Sequence, residues 1–147
     1  MSELVIIEKE LSYLIMQAAF EVYNVLGPGF PESIYEATMS RELTRQGIGL
    51  ERQKEVHIYF KGEKIGRFVL DSIANERVIL EYKAISEIAG IHKQQALSYL
   101  KATGLELAIV INFGAERVQS SRVVNTKGKA KFPPRFPSPR NIPSEIE

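Results

Sequence analysis

The sequence has no cysteine, two histidines and a formal net charge of +1 over 147 residues. The first absence excludes disulfides, zinc–thiolate centres, iron–sulfur clusters and thiol nucleophiles, and fits a reducing compartment. Two histidines are too few for a His-based zinc site. Any metal would be held by carboxylates, which suits Mg²⁺ or Mn²⁺. Near-neutral charge means that the chain as a whole does not announce a nucleic-acid binder, though a local basic patch would. No apolar run approaches the ~18 residues of a membrane span, so no membrane association is expected. The N-terminal MSELVIIEKE carries acidic residues and no basic segment. It does not read as a signal peptide, and the expected location is cytoplasmic.

What is present is an ordinary globular composition, 44% hydrophobic and 25% charged. A chain of this length makes one domain and buries roughly 68–70% of its unfolded surface. That domain is expected over residues 1–125. Residues 126–147 hold five of the seven prolines, with Lys127, Lys129, Lys131, Arg135 and Arg140 among them. They read as a Pro-rich basic tail, extended or disordered.

Periodicity sets the elements. Leu11, Leu14, Ile15, Ala18, Val22, Val25 and Leu26 follow helical spacing over 8–26, stopped by Gly27-Pro28-Gly29. A second helix spans 32–46, with Ile34, Ala37 and Leu43 inward and Gly47 beyond it. Strands follow at 56–60 and 65–73 across a Gly62 turn, then at 78–85 after the turn Asn75-Glu76-Arg77. A helix fits 91–103, closed by Gly104. LELAIVINF, 105–113, is the most apolar segment and reads as an interior strand buried on both faces. An edge strand fits 117–124. The order α-α-β-β-β-α-β-β implies an α/β (α+β) fold, a mixed sheet flanked by helices.

RVILEYKAIS raises the chemical question, because a strand built for burial carries Glu81 and Lys83. Side chains at i and i+2 share a face. Val78, Leu80 and Tyr82 then take one face, and Ile79, Glu81, Lys83 and Ile85 the other. Asp71, on the preceding strand, reaches that second face only if the turn is odd. A two-residue loop pairs Asp71 with Leu80; a three-residue loop pairs it with Glu81. Asn-Glu lacks the glycine that a two-residue hairpin wants at its second position, so the longer loop or a bulge is expected. Converging carboxylates repel and call for a cation. Mg²⁺ held by one or two carboxylates keeps waters and takes phosphate oxygens. A neighbouring lysine can orient or deprotonate the attacking water, or stabilise charge in the transition state. Taken alone, Glu81 and Lys83 also suit a solvated strand end, with an ion pair worth ~0.2–1 kcal/mol.

Asp71, Glu81-Tyr82-Lys83 resembles the signature of the PD-(D/E)XK nuclease superfamily. Gly29, Glu32 and Tyr35 in GPGFPESIY resemble the motif of the GxxExxY proteins, a branch of that superfamily. Gln95 and Tyr99 in HKQQALSYL resemble the Gln-x-x-x-Tyr motif of its exonuclease-like branches. Leu70 stands where the superfamily's name has proline. The resemblance implies a restriction-endonuclease-like core and a Mg²⁺- or Mn²⁺-dependent nuclease; it does not supply the substrate, for which DNA is expected over RNA. It makes Asp71, Glu81 and Glu32 metal ligands and Lys83 the catalytic lysine, with Gln95 in the catalytic set. Tyr35, Tyr99 and His92 would support the site or touch nucleic acid. Tyr35 read on its own is a packing aromatic with a hydrogen-bonded hydroxyl, and Glu32 a helix-start acid. The helix beginning at Glu32 is expected to cover the charged sheet face. A small domain has limited surface to grip a duplex, which a homodimer would enlarge. The competing reading is a non-catalytic nucleic-acid-binding or assembly module on the same fold.

Overall fold

The computed structural model describes residues 6–126; the basic tail from Lys127 onward lies outside them. The elements are α1 (Lys9–Leu26), α2 (Glu32–Arg45), β1 (Leu50–Phe60), β2 (Glu63–Ala74), β3 (Val78–Lys83), α3 (Gly90–Thr103), β4 (Leu107–Asn112) and β5 (Gln119–Val124). Their order is the one expected. The strands form one mixed sheet in the order β1-β2-β3-β4-β5. β3 and β4 run parallel and the other pairs antiparallel, so α3 is the crossover that a parallel pair requires. All six residues of β4 are buried, as its unbroken apolar run implies.

Helices cover both sheet faces. Leu11, Ile15, Ala18 and Val22 of α1 and Tyr35, Met39 and Leu43 of α2 pack on Val78, Leu80, Tyr82, Ile109 and Ile111. Ala96 and Leu100 of α3 pack on Val56, Leu70, Ile73, Ile79, Ala108 and Val110. Burying each such aliphatic side chain contributes roughly 1.5–3 kcal/mol, so these two clusters fix which face each strand residue takes. The alternation read along β3 therefore holds.

Several expectations are corrected. The helix over the Ile79 face is α3, not the helix beginning at Glu32, which packs on the opposite face. Ile34 is exposed on α2, because the buried stripe runs Tyr35, Met39, Leu43 at i, i+4, i+8. Leu14 and Val25 are likewise exposed on α1. β1 begins at Leu50, six residues before the expected start (56 − 50), because pairing with β2 extends a stretch, LERQK, that has no apolar alternation. β3 ends at Lys83 rather than Ile85. The Asn112 side chain takes both the N–H and the C=O of Ile85, at 2.9 Å each, in place of a neighbouring strand.

The turn between β2 and β3 has three residues. Ala74 pairs with Val78, Ile73 with Ile79 and Ser72 with Leu80. Asn75 and Glu76 both take positive φ, 51° and 59°, a costly region for non-glycine residues. Three contacts hold them there. Asn75 Oδ1 accepts from the Gly49 N–H at 2.8 Å, the Asn75 N–H donates to Gly49 O at 2.7 Å, and the Arg77 N–H donates to Ala74 O at 2.9 Å. Arg77 also pairs with Glu8 at the start of α1.

Candidate active site at the β2–β3 fork

Continuing the β2–β3 register by one pair sets Asp71 opposite Glu81. There the backbone ladder stops and side chains take over. The Asp71 N–H donates to Glu81 Oε2 at 3.3 Å, and the Tyr82 N–H donates to Asp71 Oδ2 at 2.8 Å. The strands fork, each carboxylate capping the other strand's backbone. Asp71 and Glu81 share the face expected of them, Glu81 being buried and Asp71 half-buried.

Their electrostatics follow from that placement. Burial, then the Asp71 charge, pushes the Glu81 carboxyl up to about 8. Burial pushes Asp71 up to about 6; the Tyr82 N–H opposes this, and the charges of Glu36 and Glu32 add to it. Lys83, half-buried two residues after Glu81, favours the charged form of both. Two carboxyls set opposite one another, with a lysine favouring the charged form of both, have the donor chemistry of a hard-cation site. Among the described residues no group of three or more Asp, Glu or His side chains is placed to hold a metal. Asp71 and Glu81 are the carboxylates that could hold a cation here, with water as its other ligands.

The remaining predicted residues divide. Glu32 is exposed at the start of α2 and reaches the pair through its charge. Tyr99 stacks on Phe68 at 4.3 Å. Burial and the charges of Glu81 and Asp71 push its hydroxyl up to about 12, with a hydrogen bond from Gln95 opposing. Gln95 and Tyr99 thus face one another one helical turn apart on α3, on the carboxylates' side of the sheet. Tyr35 is fully buried, its ring stacked on Phe113 at 4.7 Å. Its hydroxyl donates to Gly27 O at 2.6 Å and accepts from the Phe30 N–H at 3.2 Å. It ties the α1–α2 loop to α2. His92 accepts the Ala89 N–H on Nδ1 at 2.9 Å and so caps the start of α3.

Three residues near the site escaped the sequence reading. Glu36 lies four residues after Glu32, and that i, i+4 spacing was its only signal. Its carboxylate accepts from Gln53 Nε2 at 2.7 Å. Gln53 holds a positive φ of 53° in β1 and gave no signal. Asn112, fully buried, closes the most apolar strand and pairs in register with Lys83. It makes four bonds: Oδ1 accepts from the Ile85 and Gly114 N–H groups, and Nδ2 donates to Ile85 O and Gln119 Oε1. A lone amide at the end of an apolar run was the available signal.

A family profile of the PD-(D/E)XK nuclease superfamily matches residues 9–123. The chain belongs to that superfamily. The solved structure described as the crystal structure of SSO0001 shares the fold, with a TM-score of 0.52 at 19% identity over 80% of this chain. The chain spans 59% of that longer chain's length. Comparison with curated proteins finds no match. Among the described residues no helix is long and apolar enough to cross a membrane.

Proposed function

We propose that the protein is a Mg²⁺- or Mn²⁺-dependent nuclease that hydrolyses phosphodiester bonds, in DNA rather than RNA, and that it is a GxxExxY-type member of its superfamily. The observation that carries this reading is the Asp71–Glu81 fork, two carboxylates that exchange backbone contacts across two strands, with Lys83 on the same strand face. Superfamily membership supports it, and so does the order Gly29, Glu32, Tyr35 in the α1–α2 loop and α2.

In this reading Asp71 and Glu81 would hold the cation, and the nearby Glu32 would add its negative charge to the site. The bound ion supplies an acidified water and neutralises charge on the phosphate. Lys83 orients the attacking water and stabilises charge growing on the phosphate oxygens. Gln95 and Tyr99 present polar groups from α3 to the nucleic acid.

The test is cleavage of plasmid DNA and of a matched RNA with Mg²⁺ or Mn²⁺, by wild type, Lys83→Ala and Asp71→Asn. Cleavage of DNA by wild type alone is expected. Equal cleavage by all three would place the activity elsewhere. Metal-independent binding without cleavage, unaltered by Asp71→Asn, would instead identify a binding module.

A further inference from the structure

The ladder between β1 and β2 is regular from Leu50 to Ile58 except at one position. Arg52 pairs with Ser72 and Lys54 with Leu70, while Gln53, which stands opposite Asp71 by count, makes no ladder pair. Gln53 is also the residue at positive φ. The strands change faces there. Ala74 packs with α1 and α2 while Ile73 packs with α3, as alternation demands, yet Leu70, three residues from Ile73, packs with α3 as well. An odd step that keeps the same face requires a local break in the pleat. On β1, Leu50 belongs to the α1–α2 side and Val56 to the α3 side across an even step. Both strands therefore break at the Gln53–Asp71 position, where Asp71 turns its N–H and its carboxylate toward β3.

A glutamine does not take positive φ without support. The support is Glu36, whose carboxylate accepts from Gln53 Nε2 at 2.7 Å, with Arg52 Nη2 beside it at 3.7 Å. We infer that Glu36 is a positioning residue: by holding Gln53 in the left-handed conformation it breaks the β1–β2 ladder opposite Asp71 and frees Asp71 to face Glu81. The effect on the chemistry rests on the nuclease reading; the effect on geometry does not.

Four variants separate the possibilities. Gln53→Gly keeps the backbone conformation at no steric cost, whereas Gln53→Val opposes it. Glu36→Gln keeps an acceptor for Gln53 Nε2, and Glu36→Leu removes it. The geometric readout is amide hydrogen exchange at Tyr82, whose N–H depends on Asp71 Oδ2, measured by NMR on the full metal-free chain relative to Leu80, which pairs with Ser72. Gln53→Val and Glu36→Leu should accelerate exchange at Tyr82 selectively, and Gln53→Gly and Glu36→Gln should not. Mn²⁺ affinity by calorimetry should fall roughly 10–100-fold in the first two variants, the usual cost of losing a residue that orients a ligand, and hold in the others. Gln53→Gly exchanging as fast as Gln53→Val overturns the inference. So does Glu36→Gln behaving like Glu36→Leu, which would make the Glu36 charge itself the active element. A wild type that binds no Mn²⁺ defeats the nuclease reading, and the exchange rates still decide the role of Glu36.

Discussion

The carboxyls of Asp71 and Glu81 each bond to backbone across the fork, Glu81 Oε2 to the Asp71 N–H and Asp71 Oδ2 to the Tyr82 N–H. Neither acid can leave without unpinning the other strand, so stability and chemistry are coupled at this point.

The metal-free protein should lose stability as pH rises. Glu81 stands at about 8 against an ordinary 4.5, and Asp71 at about 6 against 3.8. Both are raised, so the folded state binds protons more tightly than the unfolded one. Their contribution is complete below the ordinary values and is lost as pH climbs through the folded ones, over about 4 to 8. For Glu81 the loss is on the order of a few kcal/mol. Urea unfolding at pH 5 and pH 8 in EDTA should show it. Glu81→Gln should shrink the difference, leaving the Asp71 part. Added Mn²⁺ should stabilise more at pH 8 than at pH 5, since the ion competes with protons for the same oxygens.

Lys83→Ala should reduce Mn²⁺-dependent DNA cleavage by about 10²-fold or more, the usual scale for a positioned proton-transfer or charge-stabilising group. Lys83 is half-buried at a strand end and outside both apolar clusters, so its thermal midpoint should stay near wild type. A collapse in stability matching the loss of activity would mark Lys83 as structural instead.

Asn112→Leu should destabilise by about 2 kcal/mol or more, because it removes the partner of half-buried backbone groups at Ile85 and Gly114, each worth about 1 kcal/mol. The local packing leaves no slack. A Cβ on Gly114 would collide with the backbone of Ala84 and Ile85, so Gly114→Ala should be similarly damaging. Chemical denaturation measures both. An Asn112→Leu chain as stable as wild type would show that water replaces the amide.

The same substitution at two tyrosines should give unequal results. Tyr35→Phe loses the bonds to Gly27 O and Phe30 N and should cost about 1 kcal/mol. The buried Tyr82 hydroxyl has only Ser72 Oγ beside it and no well-formed hydrogen bond, so Tyr82→Phe should cost less than Tyr35→Phe. Differential scanning calorimetry would separate them by a few degrees.

Much of the site could be read from the sequence because it depends on counting. The parity of β3, the length of the Asn75–Arg77 turn and the spacing of Asp71, Glu81 and Lys83 are all local. What escaped depends on distant partners. Glu36 matters through Gln53, seventeen residues away in sequence, and Asn112 through Ile85, twenty-seven away. The start of β1 escaped because its residues are ordered by pairing rather than by burial. The covering helix was misplaced for a related reason. The charge of Glu32 reaches the pair, but its helix packs on the other face through Tyr35, Met39 and Leu43.

The three-residue turn at Asn75–Arg77 has a consequence for which length changes the chain can tolerate. Adding or removing one residue there would move every β3 side chain to the opposite face. Glu81 and Lys83 would then lie beneath α1 and α2, and Leu80 would face α3 in their place. The Gly62 turn at the far end of the β1–β2 hairpin has less leverage, since a register shift between Ile58 and Tyr59 already separates the tip from the Gln53–Asp71 position. Random insertion should therefore spare the outer hairpin tip, while single-residue indels in the inner turn should eliminate function and fold together.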